Sequence, residues 1–178
     1  GLYSTSTIKT IADNADDASY LLLYTKQTPL KLGLYALERM TQIIQNSSEN
    51  AMVYADHYQL VDGVLKQAPV IDYQQGSLRD DFDFGSVLLF NSEIFTLASS
   101  ILEETVFQYA AFYEMRLMLG NLFQIIHINE FLYTEIETDT RKSGEKQFDY
   151  VNPKNREVQI EMEKIYNKHL KEINAYVR

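Results

Sequence analysis

The chain has 178 residues, 46% of them hydrophobic and 23% charged, with a formal net charge of −9 and no cysteine. That is enough chain for one domain with a real core, and too apolar for disorder as the main state. The composition excludes disulfides, thiolate metal sites and a cysteine nucleophile, argues against nonspecific nucleic-acid binding, which draws on clustered Lys and Arg, and offers no apolar run of the ~18 residues that a membrane-spanning helix needs.

The chain opens Gly-Leu-Tyr-Ser without Met and reads as trimmed at its N-terminus. Ser4 and Thr5 are placed to cap a short helix from about Ile8 to Asn14. Ala18–Tyr24 is short, apolar and followed by a Thr/Gln/Pro break, the pattern of a buried strand. Lys31–Gln45 predicts an amphipathic helix with Leu34, Leu37, Met40 and Ile44 inward. Ala51–Ala55 is a second buried strand, and strand, helix and strand together predict a right-handed βαβ unit with a parallel pair.

Beyond it, His57–Leu60 and Val64–Gln67 flank Asp62-Gly63 as a hairpin with glycine at its turn. Ile71–Asp83 is polar, acidic and loop-like. Ser86–Phe90 is a third buried strand, and Asn91 or Ser92 caps a helix running to about Glu103 with Glu93 in its first turn. Thr105–Leu119 reads as a further helix ended by Gly120 and Asn121. Phe123–Ile128 and Phe131–Ile136 are strand-like, and Thr138–Phe148 is a polar loop. Asn152-Pro153 then starts a helix to about Tyr176, with Val158, Met162, Ile165, Ile173 and Val177 on one stripe. The order predicts a single α/β domain over residues 1–178, with a mixed, mainly parallel sheet, flanking helices and a long C-terminal helix.

Three stretches carry a resemblance to a known family. Ala18–Asp56 gives strand, Pro-containing loop, helix and a strand ending in Asp before a Gly turn. Phe84–Phe95 (FGSVLLFNSEIF) gives a strand-to-helix step. Tyr113–Glu137 (YEMRLMLGNLFQIIHINEFLYTEIE) gives a helix followed by two strand-like segments. In this order and spacing they resemble a family 2 glycosyltransferase domain of the GT-A type, over about Ala18 to Thr140. The resemblance implies a nucleotide-sugar donor and a glycan, lipid or protein acceptor, as in cell-surface polysaccharide assembly. The expected setting is cytoplasmic, which the lack of cysteine fits along with other compartments. The departures count as well. Where the family has its metal-binding Asp-x-Asp this chain reads Tyr24-Thr25-Lys26, and where a Glu-Asp pair supplies the base it reads Ala111-Phe112, or Ala110-Ala111 with a one-residue shift. A catalytically degenerate domain that binds glycan or nucleotide is therefore the alternative reading.

An inverting transfer needs a base near the acceptor hydroxyl and positive charge at the leaving diphosphate. For the charge, Lys26 is one candidate, with an ordinary exposed loop lysine as its other reading. Arg141 and Lys142 of Thr138–Gly144 are the second, as phosphate contacts or as a solvated basic loop. For the base, Asp81 and Asp83 of the RDDFDFG string stand out, together with Asp80 as a substrate contact; alternatively the three cap turns and pair with Arg79. Glu114, aligned with an acidic position of the family, is a third catalytic candidate or a helix-surface carboxylate. Asp56, at the end of its strand, either meets a ligand or bonds backbone amides of the next turn. No divalent ion is expected at Tyr24–Lys26, which lacks a carboxylate; Mn²⁺ or Mg²⁺, if bound, belongs near Asp81 and Asp83. Asp56, the 80–83 segment and the 138–144 segment are expected to converge on one cleft. His57 and His127 read as structural histidines, and His169 as solvent-facing.

Overall fold

A computed structural model describes residues 3–15, 17–79, 81–102, 106–137, 153–173 and 175. Asp80, Arg141, Lys142 and the rest of Thr138–Gly144 lie outside the described residues. The elements in chain order are α1 (Thr5–Asp13), β1 (Tyr20–Tyr24), β2 (Leu30–Leu32), α2 (Ala36–Ile44), β3 (Asn50–Val61), β4 (Val64–Ala68), β5 (Val87–Asn91), α3 (Ser92–Ile101), α4 (Ala111–Leu122), β6 (Gln124–Glu137) and α5 (Pro153–Glu172).

Local chemistry explains most of the boundaries. The Ser4 side chain accepts from the Thr7 amide at the start of α1, and Asn91 accepts from the Ile94 amide at the start of α3, which satisfies one orphan donor at each helix end. Asp62 and Gly63 both adopt positive φ, 50° and 77°, so a two-residue turn of the kind that matches strand twist joins β3 to β4.

The strands form one curled, half-barrel-like sheet in the order β1-β5-β3-β6-β2, with β4 paired to the far half of β3. The sheet is mixed, but it is not mainly parallel. Among the described residues only β3 with β6 is parallel; β1 with β5, β5 with β3, β3 with β4 and β2 with β6 are antiparallel. The predicted βαβ unit exists as a crossover, since β1 and β3 run in the same direction, but β5 lies between them. β5 pairs with both, one on each edge, so the expected hydrogen-bonded parallel pair does not form.

Alternation along β3 divides the core. Val53 and Ala55 face α2, against Ala36, Met40 and Ile44. Met52 and Tyr54 face the other helices, in a cluster with Ile8, Phe95, Met115 and Ile165. The strands Ala18–Tyr24, Ala51–Ala55 and Ser86–Phe90 do share one sheet with α2 packed on a face.

Several boundaries differ from the sequence expectation. Residues 30–32 form a strand rather than the start of a helix, because Leu30, Lys31 and Leu32 find partners on β6. The fourth helix begins at Ala111 and runs through Gly120 and Asn121 to Leu122, so these two do not end it. The two segments after it merge into one strand, β6, whose register slips against β3 around Asp56 and His57. α5 ends at Glu172. Among the described residues no helix is long and apolar enough to cross a membrane.

Candidate functional site

Between β4 and β5 the chain runs from Pro69 to Ser86 without helix or strand among its described residues. A long unstructured connection inside a compact domain is commonly a functional one. Here its backbone is pinned by buried side chains from the sheet and α4. Asp56 accepts the Val70 N–H at 2.9 Å, and the Tyr54 hydroxyl donates to the Ile71 carbonyl at 2.6 Å. The Tyr113 hydroxyl donates to the Leu78 carbonyl at 2.7 Å, Arg116 donates to the Arg79 carbonyl, and the Tyr133 hydroxyl accepts the Ser86 N–H at 2.9 Å. Tyr73 completes the attachment: a Cβ on Gly120 would lie 2.5 Å from its hydroxyl oxygen and 2.7 Å from its ring. Gly120 is therefore glycine because a ring packs on it, not because the helix ends there.

The pinned segment forms one wall of a cleft of about 650 Å³. Tyr3, Phe82, Phe84, Tyr109, Phe112 and Tyr113 line it, together with Val158 and Met162 of α5. Its polar lining includes Thr25, Asp81, Asp83 and Arg116. The Arg116 guanidinium carbon lies 4.9 Å from the Tyr113 ring centroid, a cation–π distance. Asp81 receives both arms of Arg79, at 3.0 and 3.1 Å; that hydrogen bonding, aided by the Arg79 charge, holds its carboxyl below the usual carboxylate range. Asp83 accepts the Gly85 N–H at 2.8 Å. The pairing of Arg79 with Asp81 and the turn-capping by Asp83 are both the arrangements that the sequence offered as the alternative to a ligand role.

Of the sequence candidates, Asp81 and Asp83 reach this cleft and the others described do not. Asp56 is 1% exposed and bonds Val70 and His127 instead. Its Oδ1 lies 2.9 Å from His127 Nε2, while His127 Nδ1 lies 2.7 Å from Asp72. Both ring nitrogens thus face carboxylate oxygens. The His127 ring also stacks on Tyr54, with centroids 5.1 Å apart. Asp56 and His127 together tie the start of the pinned segment to the sheet. Lys26 pairs with Glu135, a carboxylate that is 1% exposed. Glu135 also lies 3.5 Å from His57 Nε2. Glu114 is buried on α4, accepts Lys168 at 2.9 Å and lines a separate pocket of about 260 Å³ between α4 and α5. His169 lines that pocket too and is buried rather than solvent-facing.

The sequence reading missed Thr25, Tyr109, Phe112 and Arg116 as cleft residues and Tyr133 as an anchor. The one available signal was Gly85: it has φ 71°, directly after the Asp-Phe-Asp-Phe run, and marks a tight turn at a place of close approach. Asp81 is engaged by Arg79, and among the described residues no group of three or more His, Asp or Glu able to hold a metal ion forms. What the cleft offers is flat apolar faces beside carboxylate acceptors, which suits a ring carrying hydroxyl groups. No protein-family model matches the chain, and no curated protein matches it either.

Proposed function

We propose that this chain is a glycosyltransferase-type domain that holds a sugar in the aromatic cleft, with Asp83 and Asp81 facing its hydroxyl groups. The observation that carries the reading is the cleft itself: six aromatic rings and two carboxylates line it, and the sheet and α4 bond the backbone of the segment that bears the carboxylates. Aromatic faces cover the C–H surface of a sugar, and ionised carboxylates accept its hydroxyl protons. In a transfer, the acceptor oxygen attacks the anomeric carbon of a nucleotide-sugar donor. The bond from that carbon to the diphosphate breaks, the nucleoside diphosphate leaves with the electron pair, and the acceptor proton passes to a carboxylate. Asp83 is the better placed base of the two, because Arg79 occupies both oxygens of Asp81 while the Gly85 N–H occupies one oxygen of Asp83.

One observation favours a second reading, a domain that binds a sugar without transferring it. Lys26, where the chain departs from the family's Asp-x-Asp, is the candidate stand-in cation for the leaving diphosphate, and it is engaged by the buried Glu135. Calorimetry with UDP-glucose, UDP-galactose, UDP-N-acetylglucosamine and neutral methyl glycosides, with and without Mn²⁺, tests both. Binding that is lost in Asp83→Asn, with nucleoside diphosphate release in the presence of an acceptor, supports the transferase. Binding of neutral glycosides without release supports the binding domain, and no binding of any sugar removes both.

A further inference from the structure

Asp83 is the end of a chain of contacts that begins deep in the sheet. The His57 ring lies flat on the Tyr133 ring, with centroids 5.0 Å apart and planes 4° from parallel. Both residues are buried, so the Tyr133 hydroxyl has a fixed place. It accepts the Ser86 N–H at 2.9 Å. The preceding residue, Gly85, packs against the same hydroxyl so closely that a Cβ there would lie 2.2 Å from the oxygen and 3.3 Å from His57 Nδ1. The Gly85 N–H then donates to Asp83 Oδ1 at 2.8 Å. Hydroxyl, two successive amides and carboxylate thus form one connected path from β6 to the cleft. A carboxylate on an exposed loop swings freely unless its backbone and one oxygen are held. Here Tyr133 holds the turn, and the turn holds Asp83.

We infer that Tyr133 is a positioning residue for the Asp83 carboxylate, acting through the Ser86 and Gly85 amides. The inference rests on the reading of Asp83 as a ligand-facing group in the cleft, but the path itself can be tested without any ligand. In the intact chain the Gly85 amide resonance, followed by ¹H–¹⁵N NMR against pH, moves with one carboxylate titration that Asp83→Asn abolishes. Tyr133→Phe keeps the stacked ring and removes the acceptor; the expected result is loss of that movement with the rest of the spectrum preserved. Should Tyr133→Phe not fold, 3,5-difluorotyrosine at position 133 keeps the shape, weakens the hydroxyl as an acceptor and reduces the movement. A Gly85 amide that titrates as in the wild type in either variant overturns the inference. In the second arm, UDP-glucose affinity is measured by calorimetry. Asp83→Asn and Tyr133→Phe should each weaken it about tenfold, and the double variant should be no worse than either, because residues acting through one group are not additive. Losses that multiply in the double variant also overturn it. A wild-type chain that binds no UDP-glucose leaves the NMR arm as the sole judge of Tyr133 and counts against the sugar reading instead.

Discussion

Asp56→Ala separates two readings of a carboxylate at the end of a buried strand. If Asp56 served a ligand, its removal would leave stability nearly unchanged. The structure gives it two internal donors, the Val70 N–H and His127 Nε2, each at 2.9 Å. Leaving a buried amide N–H unsatisfied costs about 1–3 kcal/mol. Taking the acceptor from the buried His127 Nε2 adds a second lost hydrogen bond, about 0.5–1.5 kcal/mol. A loss of about 2–4 kcal/mol is therefore expected, a drop in Tm of roughly 4–16 °C for a domain of this size. Asp72→Ala is the control. It removes the other carboxylate of the same histidine, but its side chain is 88% exposed, so the loss should stay under about 1 kcal/mol. Urea unfolding of the three proteins at neutral pH measures both differences. Equal small effects of the two variants would mean that the Asp56 bonds are not formed in solution, and the strand-end carboxylate would again be a candidate for ligand contact.

Other substitutions probe the same construction elsewhere. Gly120→Ala gains about 1 kcal/mol of helix propensity but must displace Tyr73, which packs on Phe82 and Phe84; overpacking costs about 1–3 kcal/mol, so denaturant unfolding should show a net loss that turns into a gain in a Tyr73→Ala background. A stabilised Gly120→Ala single variant would mean that the ring yields freely. Glu161 of α5 accepts the Gln108, Tyr109 and Ala110 amides at 2.9–3.1 Å, so Glu161→Ala should cost about 1–2 kcal/mol, as loss of a helix cap does, and hydrogen exchange should quicken at 108–110; unchanged protection there would show that this cap is not formed. Burial, with Arg116 adding and Glu172 opposing, holds the His169 imidazole below its ordinary range. The unfolded chain therefore takes up a proton first as pH falls through the ordinary histidine range near about 6.5, and stability drops from there toward the lower folded pKa. His169→Gln should flatten the fall in Tm between about pH 7 and 5.5, and an unchanged slope would place the titration elsewhere.

The parts of the fold legible in the sequence were those set by neighbouring residues. Ser4 and Asn91 have the right side chains one residue before a helix, Asp62-Gly63 has the right φ preferences for a hairpin, and Met52–Ala55 and Val87–Phe90 are apolar enough to be buried on both faces. Pairing was not legible, because it depends on which distant strand presents a matching edge. β5 enters between β1 and β3 from far along the chain, and this turns an expected parallel pair into two antiparallel ones. Residues 30–32 become a strand only because β6 is long enough to offer them partners. The glycine at 120 follows the same logic: in sequence a glycine near the end of an apolar helical run marks a C-terminus, and only the position of Tyr73 shows that the missing side chain makes room for a ring.

The cleft shows the same division at the level of chemistry. Asp81 and Asp83 were visible as a string, and so was the Arg79 pairing that competes with a ligand role. The side chains that make the string rigid were not, since Tyr54 reaches Ile71, Tyr113 reaches Leu78 and Tyr133 reaches Ser86 across separations of 17, 35 and 47 residues. Tyrosine suits this task because one side chain buries a ring and still brings a hydroxyl to a backbone group. Four of the 13 tyrosines and the polar 69–86 segment are thus parts of one device: Tyr54, Tyr113 and Tyr133 bond its backbone, and Tyr73, within it, packs on α4. A loop with no hydrogen-bond ladder of its own can present carboxylates at fixed positions only if the scaffold satisfies its backbone. Anchors at 70, 71, 78, 79 and 86 do so here, which makes the acidic segment part of the preformed wall of the cleft and not a lid over it.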